Sequence, residues 1–348
     1  MRRNFAGLLV VGWLCDRFSV YRLIAGGVLL WAAATLATGF VAGFTSLLIL
    51  RVLLGIGETI AFPGASKIIT RHVPPQSRGM ANAALALGIA LGPAAGTLAG
   101  GLILASFGWR AIFIAFGLVT LLWLAPWQMT IAKVDKANAV REREVPVGAL
   151  LGKWSLWSMS IAHIASNYVF YFLLGWLPLF LVKSRGLSIG DMTWLATLGY
   201  LAQAAASLGF GAFSDWWTRR GYREATVRRW MMILGQLLAG LSVLTIAFAQ
   251  SRLELALLLC IAGVATGALA LNTYAIAQMF AGPRAAGTWV GVQNAIGNSS
   301  GIFGPILTGI IVKQTGYTTA FGVTAAVAIF GAFWWIVGVP KIEEVRLD

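Results

Sequence analysis

Arg51 and Glu58 are the two ionisable side chains that the sequence places well inside a long apolar stretch. An ionised side chain at the centre of a membrane helix costs about 2.5–3.5 kcal/mol on insertion scales, so such residues tend to face a cavity and to be functional. Seven positions separate the two. On an α-helix this puts them on one face, about 10.5 Å apart along the axis.

Their chemistry suits an anion and a proton. A guanidinium can hold a carboxylate through two parallel hydrogen bonds. Burial favours the neutral form of a glutamate and a nearby arginine favours the carboxylate, so an arriving anion can change whether Glu58 holds a proton. The pair therefore predicts an anion site coupled to protons. The competing interpretation is a static charge pair that holds helices together.

Polar and aromatic side chains that share helical faces form a second candidate group: Asn167, Tyr168, Tyr171, Trp176, Asn294 and Asn298. The first three lie three or four positions apart, and the two later asparagines are four apart, so each set meets on one side of a helix. These groups could hydrogen-bond a bound anion. The alternative is ordinary hydrogen bonding and packing between helices.

The elements that must position these residues follow from composition. The chain of 348 residues is 59% hydrophobic and 11% charged, and its mean hydropathy is +0.80. A soluble domain is about 25% charged, so a soluble enzyme, a nucleic-acid-binding module, a disordered chain and a disulfide scaffold are excluded. Long stretches without charge predict an all-α membrane protein with ten complete spanning helices and a short apolar stub at 4–15.

The 26 basic residues fall mostly on alternate connections between these stretches. The positive-inside rule assigns those connections and the C-terminus to the cytoplasm. The net charge of +14 is therefore interpreted as a topology signal, with nucleic-acid binding as the weaker alternative. The polar connection 133–153 predicts a division into an N-terminal bundle, 1–132, and a C-terminal six-helix bundle, 154–348.

The stub at the start of the chain is too short to cross a bilayer. It follows Arg2 and Arg3 and ends at Asp16 and Arg17 without a cleavage site of small residues, which argues against a signal peptide. The favoured interpretation is a truncated first portion. If the two halves are equal, one helix is missing before the stub.

Three pairs of short segments recur in the same order, 199 to 212 residues apart: Gly12–Asp16 with Gly211–Asp215, Gly92-Pro93 with Gly304-Pro305, and Gly108–Phe113 with Gly316–Phe321. Parallel repeats of this kind build two-bundle transporters whose site lies between the halves.

Two further expectations concern the contacts between helices. Asp16 with Arg17, and Asp215 with Arg219 and Arg220, are predicted to act as latches at the cytoplasmic end. In the helix at 79–109, glycines recur at every fourth position from 88 to 100. This spacing predicts close packing against a neighbouring helix.

The segment Gly12-x-x-x-Asp16-Arg17 followed by Arg22 resembles the signature of the major facilitator superfamily between its second and third helices, with Ser19 where a glycine is usual. The resemblance covers essentially the whole chain. It implies a two-bundle transporter fold with about 11 of 12 helices present and the first helix absent.

A narrower resemblance is carried by residues 51–63, by 77–79 and 108–110, by 171–178 and 185–188, and by Asn294, Asn298 and Gly304-Pro305. These segments resemble the anion:cation symporter family, which includes carriers of hexuronate, galactonate and glucarate. The resemblance implies secondary active transport of an organic anion, a sugar acid or related carboxylate, together with protons by alternating access. It also implies that Arg51 attracts the substrate carboxylate and that Glu58 couples the protons.

Other expectations follow from these features. We expect a monomer in the bacterial inner membrane, with lipid, an organic anion and protons as partners and with neither cofactor nor metal. The chain is not expected to be an enzyme, and a non-transporting membrane receptor on the same fold is the alternative function. Ile89 stands where many sugar-acid carriers have a glutamine. A more apolar or aromatic carboxylate is therefore an alternative substrate.

Overall fold

The computed structural model describes residue 14, residues 18–134 and residues 147–346. The regular secondary structure of these residues is helical throughout. The helices are α1 (Val20–Thr38), α2 (Phe44–Glu58), α3 (Ala61–His72), α4 (Arg78–Val134), α5 (Val147–Leu151), α6 (Trp154–Lys183), α7 (Ile189–Arg219), α8 (Glu224–Ile246), α9 (Arg252–Gly297), α10 (Ser300–Thr315) and α11 (Tyr317–Val337). A short 3₁₀ turn, Pro75–Ser77, precedes α4.

Several of these helices are parts of longer or composite spans. α4 and α9 each change direction at a glycine with non-helical backbone angles, Gly108 and Gly282. α4 therefore contains two membrane-length segments, whereas the part of α9 after Gly282 reaches that length only together with α10. Only short breaks separate α2 from α3 and α9 from α10. Among the described residues, eight helices or continuous helical stretches are long and apolar enough to cross a membrane, and the longest of them, Arg252–Thr315, is kinked at Gly282. The predicted all-α membrane fold is confirmed.

The outer surface of the helices carries many exposed large apolar side chains, among them Phe44, Leu102, Phe107, Trp194 and Phe248. A water-soluble protein rarely exposes extensive contiguous apolar surface. This surface is suited to the hydrocarbon of a bilayer, where apolar side chains face lipid and the backbone is paired inside each helix.

The buried apolar residues form two separate clusters. The larger one lies mainly in the C-terminal half and includes the fully buried Trp289, Phe321 and Trp335. The smaller one joins α1, α3 and the end of α4 through residues such as Tyr21 and Ile131. The apolar core is thus divided between the two halves of the chain, with Phe62 and Ile89 of the N-terminal half also packed against the larger cluster.

The repeat seen in the sequence is also a repeat in backbone conformation. Gly108 has φ 77° and ψ 174°, and Gly316, its counterpart 208 positions later, has φ 89° and ψ 176°. This region is accessible almost only to glycine. Both glycines sit between two spanning segments, and both turn the chain tightly from one segment into the next.

Close approach between helices occurs at other glycines than the sequence predicted. A methyl group on Gly57 would lie 2.6 Å from the carbonyl oxygen of Gly27. α1 and α2 therefore approach each other closely at these two glycines. By contrast, no described atom lies within 4 Å of a methyl group placed on Gly88, Gly92 or Gly96. Among the described residues, the prediction of close packing against a neighbouring helix is therefore wrong for these three positions. Small residues make the face of a helix flat, but they do not determine whether another helix lies against it.

Replacing Gly316 with alanine is expected to lower the free energy of unfolding by about 1–3 kcal/mol, because alanine is strained at this φ. Gly322→Ala, in the helix that follows Gly316, is the matched control, since a methyl group there meets nothing within 4 Å. The control should leave stability unchanged or raise it by up to about 1 kcal/mol. An SDS titration of the purified protein measures both, and equal effects of the two variants would contradict the conformational argument.

Candidate functional site

A cavity of about 320 Å³ lies between the two halves of the chain. Its wall comes from α3, α4, α6, α7, α9 and the α9–α10 break: Phe62, Ile89, Pro93, His163, Ser166, Asn167, Phe170, Tyr171, Gln203, Thr266, Leu269, Ala270, Thr273, Tyr274 and Asn298. The first three belong to the N-terminal half and the others to the C-terminal half. Among the described residues, no side chain of this wall carries a formal charge at neutral pH.

Asn298 organises the polar part of this wall. It follows the last residue of α9, where the helix is interrupted, and its Oδ1 accepts hydrogen bonds from Asn167 Nδ2 and from the Tyr171 hydroxyl, both at 2.9 Å. Its Nδ2 donates to Asn294 Oδ1 at 2.7 Å, and that oxygen also accepts from the Tyr274 hydroxyl at 2.9 Å. The structure thus joins four of the predicted binding residues, Asn167, Tyr171, Asn294 and Asn298, in one network.

Two predicted binding residues of α6 lie elsewhere. The Tyr168 hydroxyl is 3.3 Å from Thr308 Oγ1, and its ring packs against Gly304. Trp176 packs against Gly309 in the same way. Neither side chain belongs to the cavity wall, so both contribute to the contact between α6 and α10.

Arg51 and Glu58 stand beside the cavity and not in its wall. Both side chains are exposed, and the Arg51 guanidinium carbon lies 5.2 Å from the centre of the Phe113 ring. Glu58 is the last residue of α2 and interacts electrostatically with Arg51 and with Tyr171, which is part of the wall. Among the described residues, no oppositely charged group lies within ion-pair distance of either side chain.

One end of the cavity is closed by contacts between the halves. The Phe62 and Tyr274 rings stack with centroids 4.5 Å apart and an interplanar angle of 6°. Beyond them, the buried amides of Asn82 and Gln278 exchange two hydrogen bonds of 3.0 and 2.9 Å, and Gln278 also donates to Ser66. The stacked rings and the paired amides separate the cavity from the helix ends that follow.

Backbone groups complete the closure. Asp215 accepts hydrogen bonds from the backbone N–H groups of Gly79 and Met80, at 2.7 and 2.9 Å. These are N–H groups in the first turn of α4, which have no partner inside the helix and carry the positive end of its dipole. On the other side, Lys67 Nζ donates to the carbonyl oxygens of Pro283 and Arg284.

The predicted latch residues are therefore only partly where the sequence suggested. Asp16 and Arg17 lie outside the described residues. Asp215 joins the halves through the backbone N–H groups at the start of α4, which the sequence did not indicate as its partners. Arg219 acts on Asp215 through its charge, whereas the Arg220 guanidinium carbon lies 4.3 Å from the centre of the Trp216 ring.

Sequence reasoning missed several polar residues of the site and its closed end, including Lys67, Gln203, Tyr274 and Gln278. It did not single out Arg228, a fully buried side chain in α8 that bonds Glu224 and Asn272. A signal was present for Gln203, which is the single amide of the apolar stretch 192–214, and for Gln278, which shares the stretch 255–283 with Asn272. For Lys67 the partners are backbone carbonyls, which no sequence pattern marks.

Comparison with known proteins adds the following. The sequence model of the Major Facilitator Superfamily matches residues 4–223 and 186–347. A probable galactarate/D-glucarate transporter of Bacillus subtilis is 28% identical over 98% of this chain and 82% of its own length. A probable chloroplastic anion transporter of Oryza sativa is 27% identical over 93% of this chain and 64% of its own.

The fold has a counterpart among solved structures. The crystal structure of the human organic anion transporter MFSD10 superimposes with a TM-score of 0.76 over 95% of this chain and 80% of that one, at 15% identity. The chain spans between 58% and 68% of the length of the chloroplastic relatives it matches.

Asp215→Ala is expected to open the closed end, because the variant leaves the two N–H groups at the start of α4 without their protein acceptor. Spin labels on Gln76→Cys and Tyr222→Cys, in a background without native cysteines, report the distance across this end. We expect a longer component in the distance distribution.

Asp191→Ala is the matched control, since Asp191 bonds Ser188 and Arg252 within one half. Unchanged distances in Asp215→Ala would show that the bond does not hold the halves together.

Proposed function

Because the chain belongs to the Major Facilitator Superfamily, we propose that it is a secondary transporter that moves an organic anion with protons by alternating access. Membership of a superfamily of transporters confirms that the chain is not an enzyme. The observation that supports the proposal most directly is the cavity between the halves. Contacts between the halves close one end of this cavity.

Alternating access requires that the closing contacts can be exchanged. Hydrogen bonds between described residues of the two halves lie at the closed end, from Asn82 with Gln278 to Asp215 with Gly79. The distribution of basic residues assigns this end, and the C-terminus, to the cytoplasm. The conformation described here is then the outward-facing one, and rocking of the halves breaks these bonds to release the anion inside.

Binding and coupling are assigned to different groups. Arg51 supplies the positive charge that attracts the anion towards the cavity, and the amides and hydroxyls of Asn167, Tyr171 and Asn298 contact it. Glu58 carries the proton. Its position at the end of α2, within electrostatic reach of both Arg51 and Tyr171, lets an anion that arrives near Arg51 change the proton occupancy of Glu58.

The anion is an organic carboxylate, as the names of the relatives suggest. The proposal further includes the bacterial inner membrane as the location and a monomer as the active form. The cavity lies inside a single chain, so a second copy is not needed to form the site.

Uptake of labelled D-glucarate into proteoliposomes with an inward proton gradient tests the proposal. Arg51→Ala is expected to reduce uptake by about tenfold, because a unit charge about 10 Å from the anion contributes on the order of 1–2 kcal/mol at an effective dielectric constant near 20. Glu58→Gln should abolish accumulation driven by the gradient and leave exchange of anion for anion intact, since only the proton carrier is lost.

Arg110→Ala is the control for the arginine, since Arg110 is also exposed and lies over an aromatic ring, Trp109. Glu254→Gln, at the start of α9, is the control for the glutamate. Uptake like that of the wild type in both Arg51→Ala and Glu58→Gln would refute the assigned roles. Anion binding by the wild-type protein with no flux would favour a membrane receptor.

A further inference from the structure

A second, smaller pocket of about 50 Å³ adjoins the cavity inside the C-terminal half. It lies between α6, α7 and α9, and most of its wall is apolar, with Leu173, Leu177, Pro178 and Leu259 among the lining side chains. Phe170, Gln203 and Thr266 line both this side pocket and the central cavity. The two spaces therefore meet at these residues.

The hydrogen-bond donors of the central cavity are almost all engaged within the protein. The hydroxyls of Ser166, Thr266 and Thr273 each donate to a backbone carbonyl of their own helix. Tyr171, Tyr274, Asn167 and Asn298 donate within the network around Asn298. A ligand with many hydroxyl groups would have to break these bonds or leave its own hydroxyls against apolar walls.

Gln203 is the exception among the described residues of this wall. Its side chain is 3% exposed, and its Nε2 has no hydrogen-bond partner in the protein. The other unpartnered polar atom of the wall is Nδ1 of His163, which lies against the backbone of Gly297. A buried amide donor without a partner costs stability, so the junction of the two spaces holds a donor that a ligand oxygen can satisfy.

The size of the side pocket limits what can enter it. A water molecule needs about 10–15 Å³ of such volume, so the pocket accepts on the order of three to four heavy atoms. Its apolar wall favours carbon over oxygen, because apolar surface gains free energy when it leaves water. A branched aliphatic group of the size of isobutyl meets both conditions.

We propose that Gln203 determines specificity, and that the preferred substrate is a carboxylate with a compact branched apolar group. The Gln203 amide donates to a carboxylate oxygen at the junction, and the apolar group occupies the side pocket. This inference rests on the proposed function, in which the cavity binds an organic anion. It selects among organic anions, favouring an apolar carboxylate over a sugar acid.

Binding to the purified full chain in detergent, measured by calorimetry, tests the inference with two monocarboxylates, 4-methylpentanoate and D-glucuronate. We expect the wild type to bind 4-methylpentanoate at least tenfold more tightly. Gln203→Leu should weaken this binding about tenfold, because the variant loses one hydrogen bond to a charged group. It should keep the thermal unfolding midpoint, because Nε2 has no protein partner to lose. Ala196→Phe fills the side pocket and should remove the preference.

Matched controls separate binding from folding. Gln314→Leu replaces an exposed amide on α10, and Ala205→Phe enlarges an exposed residue on α7, so both should bind like the wild type. If Gln203→Leu does not fold, Gln203→Met replaces it, since the methionine side chain has a similar length and carries no hydrogen-bond donor.

Two results would overturn the inference and leave anion transport intact: binding of D-glucuronate as tight as that of 4-methylpentanoate, or unchanged binding in the Gln203 variant. Failure of the wild type to bind 4-methylpentanoate also overturns it. If the wild type bound neither anion and did not take up D-glucarate, the proposed function itself would fail.

Discussion

Backbone hydrogen bonding inside hydrocarbon is the constraint on which the rest of this structure depends. Because no water reaches the bilayer core, each crossing segment must pair its own N–H and C=O groups, and interruptions are tolerated only beside protein or a cavity. The break after α2 follows Glu58, and the break after α9 begins at Asn298, which is part of the cavity wall. Freed groups find local partners, as where the Gly301 N–H donates to the Asn298 carbonyl at 2.9 Å. Polar function therefore concentrates where the helices are interrupted.

The same constraint explains how the halves are held together. Asp215 binds N–H groups in the first turn of α4, which lack partners within their own helix, and Lys67 donates to carbonyls that follow the kink of α9 at Gly282. A terminus at the edge of the membrane can exchange a protein partner for water when the halves separate. A buried ion pair could not be broken so easily, because each charge would lose its partner. Contacts of this kind hold a conformation without fixing it, which suits two halves that rock.

Sequence patterns predicted features with a local cause. Charge-free stretches predicted the spanning segments, because the thickness of the bilayer sets their length. The repeated segments that begin at Gly108 and Gly316 marked the positions where the chain turns. Residues four apart, such as Asn294 and Asn298, met as helical spacing requires. Contacts between distant helices were beyond such reasoning. The glycine spacing from 88 onwards predicted a flat helix face but could not show which helix, if any, packs against it. Whether the Gln203 amide has a hydrogen-bond partner depends on which acceptors α6, α7 and α9 bring near it.

The separation of Arg51 from the cavity wall fits the demands on a carrier. A charge in low-dielectric surroundings acts over several ångströms, so Arg51 can draw an anion towards the site without touching it there. A direct, buried pair of guanidinium and carboxylate would bind tightly and release slowly, and each turnover of a carrier requires release. Neutral amides bind more weakly and discriminate by geometry. Arg51 outside the wall attracts the anion, and the amides and hydroxyls of the wall recognise it. The anion can therefore be concentrated at the site and still be released when the closed end opens.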